Sequence, residues 1–263
     1  MHATRLVVAV IVLPLFYLYV MKLHQIYFFV LILIVAAVAQ AEFYAMYRVR
    51  GLLKASGLVG GLVLLAIMYF SRTAMTDGII SVFLIIAGMR LIGKRDPSQS
   101  LHDIAPVIIA LLYIPCSLGF QLLLRSEGPA WILFLFGCVW ASDSLAYYVG
   151  KGIGKRKLYV EVSPNKTVAG AFGSLSGGAA AGWLLNLLLI QTMGHAESLI
   201  VGLIIGATSI VGDLVESMFK RDAGVKDSST LIPGHGGVID KIDGVLFAGP
   251  VLYWVSRVFG FIA

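Results

Sequence analysis

The chain is 263 residues long, 59% hydrophobic and only 13% charged. A water-soluble domain carries about 25% charged residues, so this composition excludes a soluble fold with a single anchor. The polar stretches 151–167 and 220–243 are too short for cores of their own. The net charge of +6 reads as cationic loops facing anionic lipid and phosphorylated molecules, with no nucleic-acid partner. Two cysteines, Cys116 and Cys138, both inside apolar runs, exclude a disulfide framework and a thiolate metal site.

The N-terminus places Arg5 before an apolar run with no small-x-small cleavage site, which predicts a retained first span rather than a signal peptide. A helix needs about 20 apolar residues to cross a bilayer. That rule predicts an all-α, polytopic transmembrane bundle of about nine spans. They are 6–21, 26–47, 57–70, 78–92, 104–124, 129–150, 168–191, 197–219 and 244–262. Spans 57–70 and 78–92 are short for a bilayer and read as a broken or tilted pair. Gly57/Gly61, Gly173/Gly177 and Gly178/Gly182 are spaced to let helix backbones approach closely in lipid. The richness of 170–182 in Gly, Ala and Ser predicts a central seventh span.

Charge bias orients the array. The N-terminus and the loops after even-numbered spans hold 16 of the 20 Lys and Arg residues. The positive-inside rule then places the N-terminus and these loops in the cytoplasm. Residues 1–130 read as N-terminal transmembrane helices. Residues 131–263 read as a catalytic transmembrane region with cytoplasmic polar loops 151–167 and 220–243.

Chemistry first enters in the sixth span. Asp143 sits in the apolar WASDSLAYYVGK, and a lone intramembrane carboxylate is a functional-site hypothesis by default. Ser163, Asn165, Lys166 and Thr167 follow, just before the seventh span, where polar side chains and a helix N-terminus suit an anion. Gly150–Lys155 only imitates a phosphate-binding P-loop. Its glycine spacing is one short, Arg156 replaces Ser/Thr, and no parallel strand precedes it.

The densest signal is 216–244, where carboxylates, cations and a Gly-Gly pair are packed between apolar runs. Each such charge costs roughly 2.5–3.5 kcal/mol at a membrane centre. Asp213 lies near the end of the eighth span. Asp240 and Asp243 are three apart, on one face of the ninth. Facing carboxylates suit Mg²⁺, which takes one or two carboxylates plus substrate phosphates. The competing reading is that Asp240 and Asp243 only stabilise a helix N-terminus. Glu216 shares the face of Asp213. Pro233-Gly234-His235-Gly236-Gly237 forms a turn whose N–H groups can cradle an anion; His235 either donates to a phosphate or braces the loop. Lys220, Arg221 and Lys226 reach phosphates or anchor lipid headgroups.

Taken together, Ser217, Lys220, Arg221, Lys226, Asp227, Pro233, His235, Gly236, Gly237, Asp240 and Asp243 resemble the signature of the phosphatidate cytidylyltransferase (CDP-diacylglycerol synthase) family. One departure is Lys241, where the family usually has Arg; charge is kept and planar bidentate donation is lost. The resemblance implies that CTP and phosphatidic acid give CDP-diacylglycerol and pyrophosphate. It maps the family's metal-binding aspartates onto Asp213 and Asp240. It implies Mg²⁺ with a second cation such as K⁺, and a homodimer. On that basis Lys220, Arg221 and Asp243 are the expected catalytic residues. Asp143, Ser163, Asn165, Lys166, Thr167, Lys226, Asp227, His235, Gly236, Gly237 and Lys241 are expected to bind substrate. The expected setting is a bacterial inner membrane, with the active site facing the cytoplasm and lipid entering sideways between spans. The alternatives are another CTP-dependent lipid enzyme (a polyprenol kinase or a CDP-archaeol-type synthase) and an ion or metabolite transporter, since intramembrane acids and glycine-broken spans also occur in transporters.

Overall fold

A computed structural model describes residues 13–94, 96–231 and 236–262. The first part of the first predicted span, 6–12, lies outside the described residues. Its end forms α1, Leu13–Lys22. Among the described residues seven further helical segments are long and apolar enough to cross a membrane: Gln25–Met46, Gly51–Phe70, Arg72–Gly93, Ser100–Glu127, Pro129–Ile153, Val168–Ile190 and His195–Asp222. The chain is therefore an integral membrane, α-helical bundle. Its last helix, Ile239–Val258, also has 20 residues but carries Asp240, Lys241, Asp243 and Arg257.

The predicted short pair is corrected. Gly51–Phe70 (α3, after α2, Gln25–Met46) has 20 residues, and the next segment, Arg72–Gly93, has 22, comprising a 3₁₀ turn and α4, Met75–Gly93. The apolar-run rule missed the first turns, because Lys54 and Asp77 fall within them and shorten the uncharged stretch. Arg90, buried at the end of α4, organises the turn that follows. Its guanidinium donates to Asp103 Oδ2 at 2.7 Å and to the carbonyls of Lys94, Asp96 and Ser98.

The fifth predicted span is one 28-residue segment with a π-turn at its middle. Ser100–Leu111 (α5) runs through Leu112–Cys116 into Ser117–Glu127 (α6), with Pro106 and Pro115 inside. A missing proline N–H breaks the regular bonding ladder, which a π-turn relieves. Pro129–Ile153 (α7) starts with proline at its first position, where no intrahelical donor is needed.

The 151–167 loop contains a small antiparallel hairpin, β1 (Lys157–Tyr159) and β2 (Ser163–Thr167), with Lys157 opposite Thr167. Thr167 then caps Val168–Leu185 (α8), its hydroxyl accepting the Gly170 N–H at 3.0 Å. A π-turn, Asn186–Ile190, follows. His195–Asp222 (α9) and Ile239–Val258 (α10) complete the chain.

Helix α8 lies between α7 and α9. A side chain at Gly173 or Gly177 would strike the carbonyls of Leu145 and Ala141 in α7. One at Gly178 or Gly182 would strike the backbone at Gly202 and Ser198 in α9. Both glycine pairs thus serve close backbone approach, on opposite faces of one helix. The hydrophobic core is continuous across the chain, joining Phe43, Leu118, Phe134, Ile205 and Leu246. Tyr47, which ends α2, donates through its hydroxyl to Asp222 Oδ2 at 2.9 Å and so ties α2 to the end of α9.

Candidate active site

The late turns of α9 present Asp213, Glu216, Ser217 and Lys220 at spacings of three and four, which places them along one face. The start of α10 presents Asp240 and Asp243 towards that face. The two helices can meet because small residues line the seam. A Cβ at Gly212 would meet the Asp243 carbonyl, and one at Gly244 would meet Ser209 Oγ. Across this seam Asp213, Glu216 and Asp243 each bring a carboxylate oxygen within 4.8 Å of the other two.

Three carboxylates that close repel one another unless cations intervene. Two are supplied by the chain. Lys166 Nζ lies 2.6 Å from Asp213 Oδ2. Lys220 Nζ lies 2.5 Å from Glu216 Oε2 and 2.7 Å from Asp240 Oδ1. Glu216 is only 2% exposed; its Oε2 meets Lys220, while its Oε1 accepts no hydrogen bond among the described residues. A buried carboxylate with spare acceptor capacity beside two others is a donor set that fits a hard, oxygen-seeking divalent cation.

The structure differs from the sequence expectation at Asp240. Its Oδ1 receives Lys220. Its Oδ2 accepts Ser228 N at 3.1 Å, Ser228 Oγ at 2.8 Å and Gly237 N at 2.7 Å. Its acceptor capacity is used within the chain, and the three acids that converge are Asp213, Glu216 and Asp243. Gly236 has φ +83°, a left-handed conformation that favours glycine. A side chain there would run into the Asp240 carboxylate. The anion that meets the glycine turn is thus, at Gly237, the protein's own Asp240. His235 lies outside the described residues.

Beside the carboxylates opens a cleft of about 660 Å³. Asp143, Ser163, Asn165, Lys166, Thr167 and Asp213 all line it, so the two polar regions separated in sequence form one site. Asp143 accepts a hydrogen bond from Ser209 Oγ at 3.1 Å. Lys151 and Lys157 also line the cleft. The sequence reading did not pick out either as a site residue; the available signal was their place in the same cationic loop, 151–167, that holds Lys166.

Other expected residues lie elsewhere. Arg221 donates from Nε to the Val162 carbonyl at 3.3 Å and from Nη1 to the Val225 carbonyl at 3.2 Å. It fastens the end of α9 to the hairpin turn. Lys226, Asp227 and Lys241 are exposed on and after the loop between α9 and α10. Glu42 of α2 was missed altogether. It is a lone acid in an apolar helix, and the rule that singled out Asp143 also applies to it.

The chain is 30% identical over 252 residues to the phosphatidate cytidylyltransferase of Bacillus subtilis (strain 168), covering 92% of this chain and 93% of that protein. It is 32% identical over 225 residues to that of Staphylococcus epidermidis (strain ATCC 12228), covering 83% and 85%. A Synechocystis phosphatidate cytidylyltransferase is 44% identical over 126 residues, 46% of this chain and 41% of its own. The family model described as "Cytidylyltransferase family" matches residues 3–259, and the chain belongs to that family.

Proposed function

We propose that the protein converts CTP and phosphatidic acid to CDP-diacylglycerol and pyrophosphate in phospholipid synthesis. The observation that carries this reading is the meeting of Asp213, Glu216 and Asp243 with Lys166 and Lys220 at the cleft between α7, α8 and α9. The names of the relatives supply the substrates.

The nucleophile in this reaction is a lipid phosphate monoester, whose second pKa is near 6. At neutral pH it is already mostly dianionic and needs no general base. The barrier lies in bringing two anions together and in accepting charge on the departing pyrophosphate. Asp213, Glu216 and Asp243 would hold Mg²⁺, which when bound draws electron density from phosphate oxygens. Lys166 and Lys220 neutralise phosphate charge from opposite sides of the carboxylates. Lys151 and Lys157 line the cleft, where they add positive potential for a polyanionic nucleotide. Ser163, Asn165 and the start of α8 offer hydrogen-bonding groups for phosphate or nucleoside. Asp143, which lines the cleft, orients substrate by hydrogen bonding.

Within this reading the chemistry belongs to 131–263, while 1–130 supplies the packing wall behind it. The nine-span count with a cytoplasmic N-terminus, a cytoplasmic-facing site and a bacterial inner membrane follow from the charge bias and from the bacterial relatives. A homodimer, K⁺ as a second cation, and roles for Lys226, Asp227, His235, Gly236, Gly237 and Lys241 towards substrate come from the family likeness.

The test is to give the purified protein, in lipid, CTP, phosphatidic acid and Mg²⁺. The reading requires CDP-lipid and pyrophosphate in equal amounts. Release of CDP with a newly phosphorylated alcohol would make it a kinase. Solute uptake without CTP would make it a transporter.

A further inference from the structure

Glu42 lies on α2, outside the acidic group, yet it is only 5% exposed and faces the loop between α9 and α10. Its carboxylate accepts Ser229 Oγ at 2.7 Å, Val238 N at 3.0 Å and Ile239 N at 3.0 Å. Val238 and Ile239 open α10, where N–H groups have no intrahelical partner and the helix dipole favours a negative charge. A carboxylate from α2 therefore caps α10, where Val238's own side chain cannot. The cap also explains Gly237: a side chain there would overlap Ser228 Oγ and the Glu42 carboxylate.

The Ser228 hydroxyl has one proton and lies 2.8 Å from Asp240 but 3.4 Å from Glu42. The shorter contact takes the proton, so Ser228 serves Asp240. Glu42 instead fixes the neighbours of the Asp240 donors: Ser229 next to Ser228, and Val238 next to Gly237. Asp240, so held, aligns Lys220 beside Glu216.

We propose that Glu42 is a positioning residue for this site. It clamps the loop at Ser229 and at its α10 end, so that Asp240 and Lys220 are set in place, and it touches neither substrate nor reacting atoms. Its kinetic consequence rests on the cytidylyltransferase reading; its structural consequence does not.

The test uses the full chain in nanodiscs with Glu42→Gln, which keeps the size but replaces one acceptor oxygen with a donor. Hydrogen–deuterium exchange is read at 226–231 and 236–241. Both segments should exchange at least about tenfold faster, Val238 and Ile239 most directly, while α3 to α5 stay unchanged. CTP-dependent kcat/KM should fall roughly tenfold to a hundredfold, as for a residue that orients a ligand-bearing group. The double variant with Asp240→Asn should lose less than the product of the single losses, because both act on one linkage. Unchanged exchange in both segments, or strictly multiplicative losses, overturns the proposal. Should Glu42→Gln fail to fold, Ser229→Ala carries the test, and unaltered exchange at 226–231 overturns it equally. A wild-type protein that makes no CDP-lipid refutes the functional reading, while the exchange result still decides the clamp.

Discussion

Asp240 and Asp243 stand three residues apart on the same helix and meet different partners. Asp240 has Lys220 and three donors from Ser228 and Gly237, whereas Asp243 joins Asp213 and Glu216. Asp213→Asn, Glu216→Gln and Asp243→Asn should each weaken Mn²⁺ binding, measured by electron paramagnetic resonance, by at least roughly tenfold. Asp240→Asn should weaken it less. Turnover should fall by about a hundredfold or more for Asp243→Asn, since even residues that only orient metal ligands cost roughly 10–100-fold. Equal Mn²⁺ affinities for wild type and Asp243→Asn would remove Asp243 from the ligand set. Lys166→Met leaves Asp213 without its partner at 2.6 Å. Its expected effect is a raised KM for CTP, read by steady-state kinetics, with unchanged KM counting against a phosphate role. Asp213 and Asp143 were legible in the sequence as carboxylates within or at the end of apolar spans, and Lys166 as a cation in a polar loop just ahead of a helix N-terminus. The part played by Glu216 was not, because spacing shows which helix face a residue shares and not which neighbour completes its shell.

At the scale of elements, α8 makes the cleft possible. Its glycines let α7 and α9 approach from opposite sides, which brings Asp143 and Asp213 to the same opening. Gly178→Val should drive a side chain into the Gly202 carbonyl of α9. Overpacking of this kind destabilises by about 1–3 kcal/mol, so a lower thermal midpoint in detergent is the expected outcome. Gly152→Ala, with open space around it, serves as the comparison and should leave the midpoint unchanged or slightly raised. The glycine spacing was readable from the sequence; the central place expected of this helix was not found, since it packs mainly on α7, α9 and the hairpin, while Ser100–Glu127 is the more buried span. The hairpin ahead of it was not, because Lys157–Tyr159 and Ser163–Thr167 are too short and too polar to show strand alternation.

For the whole molecule, α9 is informative. Its 28 residues extend about 42 Å at 1.5 Å per residue, beyond a hydrocarbon core of about 30 Å. Its charged end, Lys220 to Asp222, can therefore leave the lipid while its apolar body stays within it. The proposed orientation predicts that Lys226→Cys is labelled by a membrane-impermeant maleimide in inside-out vesicles and not in intact cells. The reverse pattern would invert the topology. Background is low, since Cys138 is buried and Cys116 is partly so. Chelation by EDTA should abolish CDP-lipid synthesis and added Mg²⁺ restore it; activity persisting after exhaustive chelation would exclude the divalent ion.

The sequence by itself determined the membrane class, the helical bundle and the two polar regions that matter. Those depend on composition and periodicity, which act locally along a chain in lipid. Only the tertiary structure decided which carboxylates converge, that Asp240 is occupied by Lys220, Ser228 and Gly237, and that Glu42 reaches across from α2 to cap α10. Those outcomes depend on how the helices rotate and approach, and small residues such as Gly212 and Gly244 set that approach without any charge or pattern that names their partner.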